Sequence, residues 1–300
     1  RRAGEPLFIA PKRDFMTELL PIEPIDYLII GHLTQDLTPS GPMLGGTASY
    51  ASLTARALGL RVGIVTAISA DLSLPELQGI PVFGIRGDHT STFENIYTPE
   101  GRIQIVHQVA PNLDLSLVPE TWRSAPIVHL GPIAHEVDPN LARAFPRSTV
   151  CLTPQGWFRS WDASGRVHFA EWPEADFVLR PAAAAVLSIE DIQHNELIIE
   201  EMLASIRVLV VTEGAAGCRV YWNGDLRRFR APEMQEVDAT GAGDIFAAAF
   251  FYRFSTTRNP WEAARFATLL ASQSVTRRGL ASIPTYAEVQ AGLVEILPKA

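Results

Sequence analysis

The stretch Val237–Phe251, VDATGAGDIFAAAFF, places two glycines, two alanines and a threonine between two aspartates and then continues without charge. Gly241 and Gly243 allow the backbone to turn tightly and to approach a ligand closely. The residues after them predict a helix that is apolar nearly all round and therefore buried. Because the first amides of a helix have no partner within it, and its amino end is electropositive, this turn is a predicted anion site.

Asp244 lies in the first turn of this helix and has two interpretations. Aspartate at a helix start acts as a cap that contributes about 0.5–2 kcal/mol. A carboxylate beside an anion site can also accept the proton of a hydroxyl that attacks a phosphoryl group. The positive helix end is expected to lower the pKa of Asp244, but phosphoryl transfer tolerates a weak base because positioning dominates its loose transition state. We expect Asp244 to be both cap and base.

Composition narrows the class of protein. With 300 residues, 47% of them hydrophobic, the chain has material for a sizeable core. A net charge of −8 without a cluster of Lys or Arg argues against nucleic acid or anionic membrane as partners. Cys151 and Cys218 stand in apolar runs outside any metal-binding pattern, so we expect buried reduced thiols and a cytoplasmic protein. The chain shows neither a membrane-spanning run nor a signal-peptide core.

Apolar strands alternate with helices along most of the chain, which predicts a mostly parallel sheet covered on both faces. A cluster of short, partly alternating segments at about 81–109 predicts a small sheet inserted into this pattern. The last third is predicted to be helical. The remaining predicted strands are 26–31, 61–68, 125–131, 148–154, 175–181 and 208–214, with helices at 45–59, 138–145 and 189–206 and a hairpin at 217–230.

Residues 238–244, DATGAGD, resemble the most specific motif of the ribokinase/PfkB-like family of sugar, nucleoside and polyol kinases. Further matches follow in the family's order: GHLTQD, GGTASYA, VTEGAAG and SVTRRGLASIPT. A Walker-type phosphate loop and a full dinucleotide fingerprint are missing from the sequence. The resemblance covers about residues 26–284 and implies a three-layer α/β/α sandwich with a mostly parallel central sheet. It divides the chain into an amino-terminal extension, 1–22, and a kinase domain, 23–300, of which about 81–109 form a β lid.

The resemblance also implies the roles of individual residues. Asp244 would be the general base, and the amides of Gly241, Ala242 and Gly243 would form the anion hole. The residues implied for substrate are Asp36, Gly45, Gly46, Thr47 and Gln155, and those implied for ATP are Thr212, Gly214, Gly217 and Thr240.

Two of these assignments have plainer alternatives. Asp36 can accept two hydrogen bonds from neighbouring hydroxyls of a sugar or polyol, or it can stabilise the turn before TPSG. Gly45 and Gly46 suit close approach to the same ligand, or form an ordinary loop before a helix capped by Thr47 or Ser49.

The chain departs from the family pattern at two of these motifs. Tyr50 replaces the Asn that commonly follows the Gly-Gly loop. The family's Asn-x-x-Glu motif is matched only loosely by Ser188–Asp191, where Glu190 or Asp191 can hold Mg²⁺ through water. The same four residues are explained as a helix start with Ser188 as the cap, and the two interpretations are compatible.

Thr153–Trp157 stands where branches acting on acidic sugars carry Asp-x-Asn-x-Arg, and the missing Arg favours an uncharged substrate. Several motifs are similar to those of the myo-inositol kinase branch. Trp157 is a candidate wall for a ring-shaped ligand. His129 and His135 are six residues apart with Glu136 adjacent, but a strand end followed by a loop gives no metal-ligand geometry, so we do not predict a metal site there.

The sequence is thus interpreted as an ATP- and Mg²⁺-dependent kinase of a small neutral sugar or polyol, acting as a monomer or a lid-mediated homodimer. Two alternatives stay open. One is a nucleoside kinase of the same family, and the other is a catalytically silent ligand-binding or regulatory protein on the same fold.

Overall fold

The computed structural model describes residues 5–9, 22–98 and 101–293. Its strands, β1 to β16 in chain order, are Glu5–Ile9, Tyr27–Ile30, Thr34–Thr38, Gly41–Gly45, Val62–Ser69, Val82–Gly87, Ser91–Thr98, Gly101–Gln108, Ile127–Leu130, Thr149–Leu152, Arg159–Trp161, Val167–Phe169, Ala184–Ser188, Val208–Thr212, Cys218–Trp222 and Asp225–Phe229. Its α-helices, α1 to α6, are Thr47–Ala57, Ala175–Leu179, Glu196–Leu203, Ala242–Thr257, Pro260–Ser274 and Tyr286–Leu293.

Ten strands form one large sheet in the order β1-β6-β5-β2-β9-β10-β13-β14-β15-β16. The seven strands from β6 to β14 in this order are parallel to one another, and antiparallel strands stand at both edges. One apolar cluster joins α1, α4 and α5 to the first face, and another joins α2, α3 and several short 3₁₀ turns to the second. The predicted three-layer α/β/α sandwich is therefore confirmed.

The helix α4 is the central helix of the first layer. Every residue from Ile245 to Phe251 is buried, and the helix packs mainly against α5 and α1. Phe246, Phe250 and Phe254 stack along one side, with ring centroids 6.2 and 5.9 Å apart. Burial on all sides fixes the position of the amino end of α4, as its uninterrupted apolar sequence predicts.

A second, four-stranded sheet has the order β4-β3-β7-β8. The predicted lid, about 81–109, is divided between the two sheets: Val82–Gly87 pairs in parallel with β5 of the large sheet, and only β7 and β8 belong to the small one. The other half of the small sheet comes from the earlier hairpin of β3 and β4. The prediction of this boundary was wrong because the short polar run TQDLT lacks the alternation by which a strand is identified from sequence.

Three other sequence predictions are corrected by the structure. The predicted strand 175–181 is the helix α2, where Asp176 and Arg180 form an ion pair one turn apart at 2.7 Å. The neighbouring strand is Ala184–Ser188, which lies in the middle of the large sheet, where small residues are buried on both faces. The predicted helix 138–145 is only a 3₁₀ turn, and 189–206 is a 3₁₀ turn followed by α3.

The hairpin predicted at 217–230 is present as β15 and β16, with Asn223 and Gly224 at positive φ in its turn. Glu5–Ile9, expected to lie outside the fold, pairs with β6 at the edge of the large sheet, whereas the rest of the predicted extension up to residue 21 lies outside the described residues. Cys151 and Cys218 are buried free thiols, as predicted. Among the helices that the structure describes, none has the length and apolarity to cross a bilayer.

Glu136 holds the loop that follows β9. Its carboxylate is fully buried and accepts hydrogen bonds from the amides of His32, Ile133 and Ala134 at 2.7–3.0 Å. A buried charge requires such partners, and here backbone amides supply them. Glu136 therefore joins the segments that follow β2 and β9, two neighbouring strands of the large sheet.

We expect Glu136→Gln to lower the free energy of unfolding by about 2–4 kcal/mol, because an amide nitrogen would face buried backbone N–H groups and the charge-assisted bonds would be lost. Denaturant unfolding measures the change. Glu171→Gln, at an exposed position, is the control and should stay within about 0.5 kcal/mol of the parent. Equal effects of the two substitutions would contradict this role of Glu136.

Candidate active site

A cavity of about 860 Å³ opens at the carboxyl ends of the parallel strands, between the small sheet and the amino end of α4. Ligands bind at this edge in open α/β sheets. Fourteen of the predicted site residues line it together: Asp36, Gly46, Thr47, Gln155, Glu190, Asp191, Thr212, Gly214, Gly217, Thr240, Gly241, Ala242, Gly243 and Asp244. Gly45, the remaining predicted residue, lies behind Asp36 instead of on the cavity wall.

The turn before α4 has the geometry of an anion site in two of its three predicted amides. Gly241 is the residue that precedes the helix, with φ 78°. The Ala242 amide already donates to the carbonyl of Ala239 at 3.1 Å. No partner for the amides of Gly241 and Gly243 lies among the described residues, and first-turn amides without partners attract anions.

Tyr50 explains why position 241 must be glycine. A Cβ atom there would lie 2.2 Å from Cδ1 of the Tyr50 ring, in addition to the strain of a positive φ. Tyr50 is 3% exposed and lines the cavity. The residue that departs from the family pattern thus packs against the anion turn.

Asp244 does not cap α4, so this half of its predicted role is wrong. Gly241 occupies the cap position and the helix has no side-chain cap. The Asp244 side chain instead accepts a hydrogen bond from Thr47 on α1. The carboxylate is therefore held facing the cavity by the neighbouring helix.

The expected lowering of the Asp244 pKa is also wrong. Burial raises the pKa to about 6, and the negative charges of Asp191 and Asp36 add to this, while the Thr47 hydrogen bond and the charge of Arg159 oppose it. Burial is the largest of these effects. The consequence is a carboxylate that is ionised at neutral pH and yet basic enough to accept a proton.

Asp36 lies on the small four-stranded sheet. It is on β3, and Thr34 donates a hydrogen bond to its Oδ1 at 2.9 Å. Burial raises the Asp36 pKa, and Thr34 and Arg159 oppose the rise. A Cβ at Gly45 would lie 2.2 Å from Oδ2 of Asp36, so Gly45 makes room for the carboxylate.

Gln155 and Asp191 bind each other. Nε2 of Gln155 donates to Oδ1 of Asp191 at 2.9 Å, and the Ser188 amide donates to its other oxygen at 2.9 Å. Ser188 and Asp191 form the predicted capping box, so the helix-start interpretation is confirmed. Glu190 is exposed on the cavity wall.

Magnesium fits this cavity through water and phosphate oxygens more than through protein ligands. No group of three or more His, Cys, Asp or Glu that could hold a metal is found in the part of the chain that the structure describes. Mg²⁺ characteristically keeps several waters and uses one or two carboxylates together with substrate phosphates. Glu190 and Asp191 are suited to that outer role.

Several residues of the cavity wall are not predicted from the sequence. Arg159 is 8% exposed, donates a hydrogen bond to the carbonyl of Ile133 at 3.0 Å and lines the cavity. It was not predicted because it lies two residues beyond Thr153–Trp157, the segment that corresponds to the family motif. The small sheet adds Phe93, Asn95 and Gln104, which the alternation of β7 and β8 can predict once their inner face is known.

Trp157 is not a wall of the cavity. Its ring is 3% exposed and stacks on Trp172 with centroids 4.8 Å apart, inside the second apolar cluster. The tryptophan predicted to face the ligand thus forms part of the core.

The opposite end of the cavity suits a nucleotide. Thr212, Gly214, Gly217 and Thr240 lie there beside a group of mainly apolar lining residues: Ala231, Pro232, Met234, Val237, Ala271 and Val275. Asp238 fixes this end, because its carboxylate accepts hydrogen bonds from the amides of Thr240 and Gly279 at 2.9 and 3.0 Å.

We expect Asp244→Asn to raise the free energy of unfolding by about 1–2 kcal/mol at pH 8 and to have little effect near pH 4. The folded protein binds the Asp244 proton more tightly than the unfolded chain does, since its pKa is about 6 against an ordinary value of 3.8. The parent protein therefore loses stability as the pH rises from 4 to 6, and the amide avoids this loss. Denaturant unfolding of both proteins across this range measures the difference, and a variant that is less stable at pH 8 would contradict it.

Comparison with known proteins agrees with this geometry. The family profile of the pfkB family carbohydrate kinases matches residues 174–286. A cytidine kinase of Thermococcus kodakarensis is 28% identical, over 85% of this chain and 98% of the relative. An inositol 3-kinase of Zea mays is 27% identical, over 71% of this chain and 55% of the relative.

Among solved structures, a pyrophosphate-dependent kinase in the ribokinase family, complexed with a pyrophosphate analogue and myo-inositol, has a TM-score of 0.73 at 18% identity. The match covers 88% of this chain and 99% of that one, and at this identity it shows the fold. The profile match to residues 174–286, the kinase relatives and the fold together support a small-molecule kinase that is similar to the pfkB family carbohydrate kinases.

Proposed function

We propose that the protein transfers the γ-phosphoryl group of ATP to a hydroxyl of a small neutral sugar or polyol, with a cyclic polyol such as myo-inositol favoured. The observation that carries the proposal is the position of Asp36 and Asp244 on one cavity, with the Gly241–Gly243 turn beside them and an apolar nucleotide end beyond it. The inositol 3-kinase relative supports the favoured acceptor.

The acceptor end is built mainly from hydrogen-bonding groups. Asp36 offers carboxylate oxygens, and Asn95 and Gln104 of the small sheet, which bond each other at 3.1 Å, add amide groups. Neighbouring hydroxyls on a ring match such a set of donors and acceptors. Thr47 and Asp244 line the same cavity.

The charges around this end favour a neutral acceptor. Asp36, Asp191 and Asp244 line the cavity together with one guanidinium, that of Arg159. An anionic acceptor would meet more negative than positive charge. This replaces the sequence argument from a missing arginine, because Arg159 does line the cavity.

ATP is the proposed donor because the cavity continues past the anion turn into an apolar end. A pyrophosphate donor, as in the similar solved structure, needs no such space. Ala231, Pro232 and Val275 are among the residues that would face a nucleoside. When bound, Mg²⁺ would neutralise phosphate charge, and Glu190 and Asp191 would hold it through water.

In the proposed reaction Asp36 orients the acceptor, and one acceptor hydroxyl reaches Asp244. Asp244 accepts the hydroxyl proton as the oxygen attacks the γ-phosphorus and the bond to the β-phosphate oxygen of ADP breaks. The amides of Gly241 and Gly243 bind the negative charge of the transferring group. The small sheet covers the acceptor and excludes water, which would otherwise take the phosphoryl group.

A single assay of ADP release tests the proposal and separates the alternatives. Inositols, pentoses, hexoses and nucleosides are each offered with ATP and Mg²⁺, and the best acceptor is repeated with pyrophosphate as donor, where release of phosphate replaces release of ADP as the readout. Turnover with a polyol or sugar supports the proposal. Turnover with nucleosides alone, which the cytidine kinase relative makes the second candidate, or ATP binding without turnover of any acceptor, would overturn it.

With the acceptor so identified, we expect Asp244→Ala to lower kcat by about 10²- to 10⁴-fold and to leave the KM for ATP nearly unchanged, as for the loss of a positioned base. Steady-state ADP release measures both constants. Asp225→Ala, exposed in the β15–β16 hairpin, should behave as the parent. A variant of Asp244 with parental kcat would refute its role as the base.

The pH dependence provides a separate test. The kcat/KM for the acceptor should fall about tenfold per unit below pH 6 and level off above it, because Asp244 acts in its ionised form. In Asp36→Asn the midpoint should move to lower pH, since one negative charge near Asp244 is removed. A midpoint near pH 4 in the parent, or one that stays in place in Asp36→Asn, would contradict the assignment.

A further inference from the structure

A chain of three buried hydrogen-bonding side chains runs beneath the acceptor end of the cavity. The Tyr27 hydroxyl lies 2.9 Å from Nδ1 of His129, and Nε2 of His129 lies 2.8 Å from Oγ1 of Thr153. The three residues come from the adjacent strands β2 and β9 and from the end of β10. Tyr27 and His129 are fully buried, and Thr153, 7% exposed, is the member that lines the cavity.

The His129 ring is neutral. Burial lowers its pKa to about 3, and the ring packs edge-on against Phe251 of α4 at 4.9 Å. A neutral imidazole has one N–H donor and one bare nitrogen acceptor. The chain of bonds can therefore run in only two directions.

In the first direction Tyr27 donates to Nδ1, and the Nε2–H of His129 donates to Thr153. In the second direction Thr153 donates to Nε2, and the Nδ1–H donates to Tyr27, whose own hydroxyl proton then needs an acceptor. No other partner of the Tyr27 hydroxyl lies among the described residues. A buried donor without an acceptor is costly, so the first direction is the stable one.

The first direction leaves the hydroxyl proton of Thr153 available to the cavity. Thr153 already accepts from His129, and its hydroxyl has no other protein partner in the described chain. Thr153 and Thr47, the residue that bonds Asp244, flank the same glycine: a Cβ at Gly131 would lie 3.3 Å from Oγ1 of Thr153 and 2.8 Å from Cγ2 of Thr47. Thr153 is thus placed near the proposed base.

We propose that Thr153 is a substrate-positioning residue that donates a hydrogen bond to an oxygen of the acceptor, and that Tyr27 and His129 fix the direction of this bond from below. The inference rests on the proposed function, which supplies the acceptor. The ligand atom that Thr153 would bind is a hydroxyl oxygen of a sugar or polyol. Such an oxygen can accept a hydrogen bond from Thr153 while its own proton is donated to another group.

The first test is independent of activity. In protein labelled with ¹⁵N-histidine, the His129 ring, assigned by comparison with His129→Asn, should show a proton on Nε2 and a bare Nδ1 from pH 5 to pH 8. Tyr27→Phe removes the donor to Nδ1 and should shift the Nδ1 resonance. A parent protein with the proton on Nδ1 would overturn the proposal even if the kinase activity is as proposed.

The second test uses the acceptor found by ADP release. Thr153→Val should raise the KM for the acceptor about tenfold, with the KM for ATP unchanged, whereas Thr153→Ser should stay within about threefold of the parent. Tyr27→Phe should also raise the KM for the acceptor, although Tyr27 does not reach the cavity. The control is Tyr252→Phe, a partly buried tyrosine outside the Tyr27–His129–Thr153 hydrogen bonds, which should leave this KM unchanged.

Thermal unfolding of each variant separates these effects from a loss of folded protein. An unchanged acceptor KM in folded Thr153→Val would overturn the proposal. If no acceptor is turned over, the proposed function fails. The position of the proton on His129 still decides in which direction the hydrogen bonds run between Tyr27 and Thr153.

Discussion

The position of the amino end of α4 is the constraint on which the rest of the site depends. The helix is buried from Ile245 to Phe251 between the large sheet and two neighbouring helices, and this packing fixes the position of its amino end. Tyr50 then packs against Gly241 so closely that only glycine fits at the turn. The amides of Gly241 and Gly243, which have no partner among the described residues, are thereby held in a fixed position beside the cavity. A preorganised donor needs no rearrangement when charge develops.

The same arrangement places several carboxylates close together in the cavity, where their negative charge does not stabilise the folded protein. Asp36 and Asp244 share the cavity with Asp191, and burial raises the pKa of both Asp36 and Asp244. Arg159 offsets part of the charge. A site that destabilises its own carboxylates at neutral pH is typical of groups held ready to accept protons and hydrogen bonds from a ligand. Stability and activity therefore depend in opposite ways on the charge of Asp244.

The sequence predicts well what is local and poorly what depends on strand pairing. DATGAGD and VTEGAAG are continuous turns, and their glycines indicate close approach whatever surrounds them. Arg159 and Thr153 reach the cavity only because β10 and the turn after it lie beside β9, and residue spacing does not reveal that. Gly45 was interpreted as a ligand contact, but its neighbour is the Asp36 carboxylate, set by the pairing of β3 with β4.

Propensity also fails where burial decides the structure. Ala184–Ser188 forms a central strand in spite of its alanines, and the segment before it, apolar enough to resemble a strand, is a short helix closed by an ion pair. The wrong prediction of the Asp244 pKa has the same cause. The sequence shows that Asp244 lies at a helix end, but it does not show how deeply the carboxylate is buried.

A crystal structure of the protein with a non-hydrolysable ATP analogue and its acceptor tests the account most directly. The account predicts one acceptor hydroxyl within about 3.2 Å of an Asp244 oxygen and in line with the γ-phosphorus, with a second hydroxyl bound to Asp36. An acceptor whose hydroxyls contact neither carboxylate, or a γ-phosphate remote from the amides of Gly241 and Gly243, would contradict it.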